Sequence, residues 1–522
     1  MRKGLLARAG SVLACAVAAG ALAASAHASP LPATQVAEIE AIVAKAPYAN
    51  ATWGISVTDA NTGERVYSRN AQRMFSPGSI TKLFQGVAAL ESYGTDYRFR
   101  TPVHRVGRVR DGALDGELVL VASGDFSFGL RDRKGGRLAY ADGGADHNEA
   151  NSLGFVTRVT GNPLKALERL ARDVRRSGIT RARDVVIDDR LFETYTGWPD
   201  GAITPIWVNE NLIDITIRPT SGTRPARYDW RPRTAAYRVV SAVRTGAATE
   251  IEVDEPRPGV VRVRGTIARG EGSTVRTFLV TDPQAFARTA FIEALERAGV
   301  RIGAKSTGDN PGAKLPARRT YPARTRLGQW VSPHMSEYVK VVMKVSYNRG
   351  ADLLACLVGA RVGLRDCEDG LGRATRIAQR LGVPGTGFFN FDGAGSIDAN
   401  RHVPDTLNTL NRVATSQPWG AAYRASLPQL GVPGGGDIAV FGQDSPVAGR
   451  LSAKTGTRAG GPPGAPATLL GSRGLSGYLN GASGRQLLIT VIVNDVPFED
   501  FDAIFDVIND QVAIVEAVYR GT

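Results

Sequence analysis

The sequence predicts an α+β protein. Its main domain is an antiparallel sheet flanked by helices, assembled from both ends of the chain and interrupted by a long insertion. Two observations point to this: hairpin patterns followed or preceded by amphipathic helices stand at each end, and a second set of strand patterns fills the middle. Residues 34–44 place Val36, Ile39, Ile42 and Val43 on one side of a helix. Residues 52–58 alternate as a strand, Asn61-Thr62-Gly63 turns, and residues 65–68 return. A helix from about Ser79 follows, with Leu83, Phe84, Val87, Ala88 and Leu90 making it apolar nearly all round. At the other end, residues 447–457 read as a strand. Residues 475–479 and 486–493 form a hairpin around 481–484, and Phe501, Ile504, Phe505, Ile508, Val512 and Val515 stand at helical spacing.

Between these ends, residues 97–324 read as an inserted module. Strand patterns occur at 116–122, 184–188, 212–218, 250–253 and 260–267, helical ones at 163–177 and 285–298. Residues 309–325, with Pro311, Pro316 and Pro322, read as the return linker. Residues 131–151 are polar and hold Gly135-Gly136 and Gly143-Gly144. They read as a mobile loop, with Asp142 and Asp146 as solvated charge rather than calcium ligands. Two segments of the main domain therefore emerge, 29–96 and 325–522.

Three short patterns carry chemistry. Ser79-Ile80-Thr81-Lys82 places a hydroxyl and an amine three residues apart, on one face of a helix. A lysine can take a serine proton only when burial or a neighbouring cation lowers its pKa. Ser346-Tyr347-Asn348 gives S-x-N and Lys454-Thr455-Gly456 gives K-T-G. Each is common alone; together and in this order they form the signature of serine β-lactamases and penicillin-binding proteins. Ser346 and Asn348 also suit helix capping between two helices.

The motif order and the long insertion resemble the D-alanyl-D-alanine carboxypeptidase/endopeptidase family of class C low-molecular-mass penicillin-binding proteins (peptidase family S13). Further similar segments are residues 118–125 ending in Ser123-Gly124-Asp125, residues 185–189, residues 208–212, Ser336-Glu337, Phe391-Asp392-Gly393-Ala394-Gly395 and Asn400-Arg401. The resemblance implies a β-lactamase/transpeptidase-like catalytic domain and two inserted, mainly β-containing domains, one nested near residues 220–275. It implies a serine-type hydrolase of terminal D-Ala-D-Ala in peptidoglycan stem peptides, acylated by β-lactams. Ser79 would be the nucleophile and Lys82 its base. Ser346 would pass a proton to the leaving amine, and Asn348 would bind the substrate amide and hold Lys82. Lys454 would attract the substrate carboxylate and depress the Lys82 pKa, with Thr455 and Thr457 as further carboxylate ligands. Gly456 would let substrate approach the backbone, and the amides of Ser79 and Thr457 would form the oxyanion hole. Tyr347 stands where the family more often has Asp, and its side chain need not face the cleft. Residues 459–472, rich in Gly and Pro, read as an extra loop after the K-T-G motif. A β-lactamase or esterase is the rival enzyme; a non-catalytic wall-binding protein is the rival outside enzymes.

Residues 1–28 read as a signal peptide: Arg2, Lys3 and Arg8, an Ala-rich apolar stretch over 9–26, and Ala26-His27-Ala28 as the cleavage site. That implies an exported, periplasmic protein. The formal net charge is +14. In an exported chain this favours contact with acidic envelope polymers. No basic run with interleaved aromatics points to nucleic acid. After cleavage, Cys356 and Cys367 remain, close enough in sequence for a local disulfide. The five histidines, His27, His104, His147, His334 and His402, show no metal-ligand spacing, so neither metal nor cofactor is expected. Nothing in the sequence sets the oligomeric state.

Overall fold

A computed structural model describes residues 29–522 apart from 155, 223, 462–464, 466 and 501. The signal-peptide reading and Phe501 therefore lie outside the described residues. The catalytic sheet joins the chain ends. Its strands run in the order Leu451–Gly460, Thr468–Asn480, Gln486–Asn494, Thr52–Asp59 and Arg65–Arg69, all antiparallel, and Val496–Phe498 extends the sheet beside Thr468–Asn480. Thr52 pairs with Asn494 and Asp59 with Leu487, so the first hairpin is zipped onto the last. Helices Ala33–Val43 and Ala503–Arg520 close one face, with Ile514 and Val518 of the second helix packed in one core with Ile55, Val57, Ile489 and Val491 of the sheet. The other face meets helix Pro404–Thr415 and the turn Gly78–Thr81, and behind them lies helix Lys82–Tyr93, whose residues from Lys82 to Leu90 are all buried. A set of helices that the periodicity leaves unassigned surrounds it: Asn348–Ala360, Cys367–Arg380, Pro404–Thr415 and Gly420–Ser426.

Cys356 and Cys367 are joined, with Sγ atoms 1.95 Å apart, tying the end of one of these helices to the start of the next. Replacing both cysteines by alanine is expected to cost about 3 kcal/mol, since the bridge closes a short loop that the unfolded chain would otherwise sample freely. Urea unfolding checks this; an unchanged midpoint would contradict it.

The insertion builds a five-stranded sheet ordered Arg301–Ile302, Arg181–Asp188, Ala113–Val121, Arg98–Arg110 and Arg326–His334, the last strand coming from beyond the expected boundary at residue 324 and pairing with Arg98–Arg110. Two three-stranded sheets follow within it, Thr274–Leu279/Leu212–Arg218/Arg227–Arg231 and Arg238–Gly246/Val260–Ala268/Glu250–Arg257. Of the long hairpin in the five-stranded sheet, the second arm Ala113–Val121 matches the strand pattern at 116–122, whereas the first arm Arg98–Arg110 escapes it because Pro102 and five arginines break the apolar alternation. Asp125 fastens this module to the catalytic domain. Its carboxylate accepts hydrogen bonds from the Tyr338 hydroxyl, Phe128 N at 2.9 Å and Trp330 Nε1 at 3.2 Å.

Two expectations are corrected. Residues 459–472 are not a free loop. Ala459 and Gly460 pair with Leu470 and Leu469, so the two strands take up both ends of this range and the Gly- and Pro-rich connection shortens to residues 461–467. Residues 131–151 are not a solvated loop either: Arg131, Asp146 and His147 are buried. Arg131 clasps Asp146 through two bonds of 2.8 Å and also bonds both oxygens of Glu210. His147 bridges Asp214 at 2.8 Å and Glu210 at 3.1 Å. Arg231 completes the set on Asp214 at 2.8 Å, so three cations face three carboxylates. Asp146, His147 and Glu210 bring ligand-type atoms within 4.8 Å of one another, but the Arg131 guanidinium already occupies both carboxylates.

Candidate active site

Ser79 lies in a single 3-10 turn, Gly78–Thr81, and the α-helix begins at Lys82. Serine and lysine thus sit at a tight turn opening a helix rather than along one α-helical face. Lys82 is fully buried. Its Nζ lies 2.6 Å from Ser79 Oγ, 2.7 Å from Asn348 Oδ1 and 2.8 Å from the Ala394 carbonyl. Two of these partners accept only. A neutral lysine therefore donates its two N–H bonds to Asn348 and Ala394 and is left with its lone pair aimed at the Ser79 hydroxyl. Burial, and then the charge of Lys454, lower the Lys82 pKa to about 8.

The acceptors are themselves fixed. Asp392 takes the amides of Gly395, Ser396 and Ile397 at 2.7, 2.8 and 2.7 Å, which curls the loop so that the Ala394 carbonyl meets Lys82. Asn348 opens helix Asn348–Ala360 and donates through Nδ2 to Asp200 at 2.9 Å, which orients its amide oxygen toward Lys82. Asp200 comes from the inserted module and was not singled out in the sequence. Tyr347 points away from the cleft: it is buried edge-on against Phe126, 5.2 Å between ring centroids. Ser346 adopts φ 55°, a left-handed conformation that costs a serine free energy, and this places it on the cavity wall with Ser79. Its hydroxyl makes no hydrogen bond among the described residues.

The K-T-G strand closes the other side. A Cβ at Gly456 would lie 2.1 Å from the Pro77 carbonyl and 3.1 Å from Ser79 N. The glycine is therefore required for this strand to approach the Ser79 turn, a constraint within the chain itself that the expected approach of substrate did not include. Lys454 is buried and donates to its neighbour's carbonyl at 2.8 Å and to Asp437 at 3.3 Å; Thr455 Oγ1 donates to the same carboxylate at 2.6 Å. Thr457 stands opposite Arg473 in the next strand, and Arg473 donates to its hydroxyl at 2.6 Å. Burial lowers the Arg473 pKa only to about 10, so it stays charged at neutral pH. With Asp437 set against Lys454, Arg473 supplies the cation on the cavity wall. The sequence offered no signal for Asp437 or Arg473 beyond their place near and opposite the K-T-G strand.

Ser79, Ser346, Asn348, Thr455, Thr457 and Arg473 line one cavity of about 290 Å³. Phe441, Ile504, Phe505 and Ile508 form its apolar side. The segment after Arg131 forms its lip: Asp142 accepts the amides of Gly434 and Gly436 at 2.8 and 2.9 Å, and Glu149 lines the cavity. Burial raises the Glu149 pKa, against the pull of Lys82.

Comparison with known proteins gives a consistent result. The model of the D-Ala-D-Ala carboxypeptidase 3 (S13) family matches residues 35–515. A D-alanyl-D-alanine carboxypeptidase of Actinomadura sp. (strain R39) is 27% identical over 91% of this chain and 84% of its own. A penicillin-sensitive carboxypeptidase A of Dictyostelium discoideum is 23% identical over 89% and 86%. The crystal structure of penicillin binding protein 4 from Haemophilus influenzae shares the fold, with a TM-score of 0.68 at 18% identity over 92% of this chain and 98% of that one.

Proposed function

This chain belongs to the D-Ala-D-Ala carboxypeptidase 3 (S13) family and is a serine-type D-Ala-D-Ala carboxypeptidase/endopeptidase, and we propose on that premise how its residues divide the work. Ser79 Oγ attacks the carbonyl between the two terminal D-alanines of a peptidoglycan stem peptide, while Lys82 Nζ takes its proton. The developing oxyanion is held by the amides of Ser79 and Thr457. Ser346 relays the proton to the leaving D-alanine nitrogen as the peptide bond breaks. The leaving carboxylate is held by Thr455, Thr457 and Arg473, with Lys454 setting the local potential. Water then hydrolyses the acyl–Ser79 ester. The observation that carries this is the three-way anchoring of Lys82. β-Lactams acylate the same serine, and the protein works in the envelope after export through residues 1–28.

Comparing release of D-alanine from a soluble acyl-D-Ala-D-Ala peptide with turnover of benzylpenicillin tests the assignment. Efficient peptide hydrolysis with slow penicillin turnover is expected; rapid penicillin turnover with an inert peptide would make the protein a β-lactamase instead.

The pH dependence follows from the lysine. The reactive form is the neutral amine, so acylation by benzylpenicillin is expected to rise about tenfold per pH unit below about 8 and to level off above it. Lys454→Met removes a nearby positive charge, lets the Lys82 pKa rise, and should move the limb to higher pH. Stopped-flow acylation between pH 6 and 9.5 measures both; a flat profile would exclude Lys82 as the base.

A further inference from the structure

The outer end of the five-stranded sheet carries a row of arginines that the active site does not use. Strand register sets Arg301 beside Arg181, Arg181 beside Ala113 and Ala113 beside Arg110, in one line across four strands. Two residues further along, Arg108 stands beside Asp115 on the same face, and Arg183 pairs with Asp115. The residues that alternate with them, Ile302, Ala182 and Leu114, belong to the core behind the sheet, so the arginine face is the outer one. All five arginines are exposed. Among the described residues, Arg108, Arg110, Arg181 and Arg301 form no side-chain hydrogen bond or ion pair, and Asp111 and Glu296 are the other carboxylates on the walls. Like charges placed side by side across strands are unfavourable. Here they border two adjoining surface grooves, which share Asp111 and Arg181.

We infer that this arginine row is an anchoring surface for a polycarboxylate strand: the peptidoglycan polymer whose stem peptides the active site cleaves, an inference that rests on the function proposed above. Guanidinium groups bind carboxylates through paired N–H donors, and a spaced row of them suits an acidic group that repeats along a chain. The opposite end of strand Ala113–Val121 leads to Asp125, which fastens the module to the catalytic domain. Nine residues of strand set the row about 30 Å away from that junction. A single stem peptide does not reach both places; a polymer does. A membrane surface fits less well, because interfacial binding couples basic residues to an apolar face, and Val109 is the exposed apolar side chain in this hairpin.

The test compares the full-length mature chain with Arg110→Ser/Arg181→Ser/Arg301→Ser, and with a charge-matched control, Arg224→Ser/Arg238→Ser/Arg257→Ser, in the nested sheets. Co-sedimentation with purified sacculi at low and high salt reads binding; D-alanine release from a soluble acyl-D-Ala-D-Ala peptide reads the active site. The row variant is expected to bind sacculi about tenfold more weakly, the lower end of what charged surfaces contribute to local concentration, with peptide hydrolysis unchanged and the control like wild type. Sacculus binding equal to wild type, or an equal loss in the control, would overturn the inference. So would vesicles containing phosphatidylglycerol binding the wild type as tightly as sacculi do and losing that binding in the row variant. The binding arm needs no turnover. A wild type that binds sacculi through the row but leaves the peptide intact would therefore refute the proposed reaction, not the surface.

Discussion

Ser79→Ala is expected to lower D-alanine release from a soluble acyl-D-Ala-D-Ala peptide by on the order of 10⁵-fold or more, the scale of loss when a covalent nucleophile is removed. The physical reason is specific to this site. Lys82 donates to Asn348 and Ala394 whether or not Ser79 is present, so the variant keeps its base but presents it with nothing to activate. The protein should fold as before, because Ser79 is only half-buried and, among the described residues, its hydroxyl makes a single hydrogen bond, to Lys82. Initial rates and a thermal melt together check this. Residual activity within about tenfold of wild type would show that another group attacks the carbonyl.

The second large effect is structural. Arg131→Met is expected to destabilise the protein by about 3–5 kcal/mol, because removing one member of a buried charge set leaves its partners uncompensated. Asp146 and Glu210 would both lose the guanidinium that neutralises them; Arg231 stays on Asp214, so His147 is left as the one cation beside Glu210 and Asp146 among the described residues. The damage should reach the active site, since the segment that Arg131 holds carries Asp142 and Glu149 to the cavity lip. A raised KM with a smaller change in kcat is the expected kinetic accompaniment. The same cluster sets a pH dependence. Burial alone would lower the His147 pKa, but Asp214 and Glu210 outweigh it and raise it to about 10. A raised folded-state pKa stabilises fully below the unfolded value near 6.5 and is lost as pH rises through about 10. Urea unfolding of wild type and variant at pH 6 and pH 9.5 measures both. A loss under about 1 kcal/mol, or wild-type stability that rises over that range, would contradict the role given to the cluster.

The grouping of Ser79, Lys82 and the K-T-G strand was legible in the sequence because acyl transfer demands those residue types, and their spacing is fixed by one turn or one strand. The joined chain ends were legible from strand alternation at 52–58 and 486–493. What could not be read are partners chosen by the fold. Arg131 and Glu210 are 79 positions apart and look like surface charge until the sheets bring them together. Arg473 acquires its role only through its register with Thr457. Gly456 illustrates a subtler gap: the residue was identifiable, but what fills the space beside it is the Pro77 carbonyl of the chain itself. The stretch after the motif is shorter as a loop than its composition suggests, because ladder pairing draws Ala459, Gly460 and residues 468–472 into the strands and leaves only 461–467 between them.

The central claim is that Ser79, activated by Lys82, forms the acyl-enzyme. Mass spectrometry of the proteolysed protein after brief exposure to benzylpenicillin tests it most directly. One adduct is expected, on the peptide containing Ser79, and absent from Ser79→Ala. An adduct mapped to Ser346 or any other residue, or one that persists in Ser79→Ala, would contradict it.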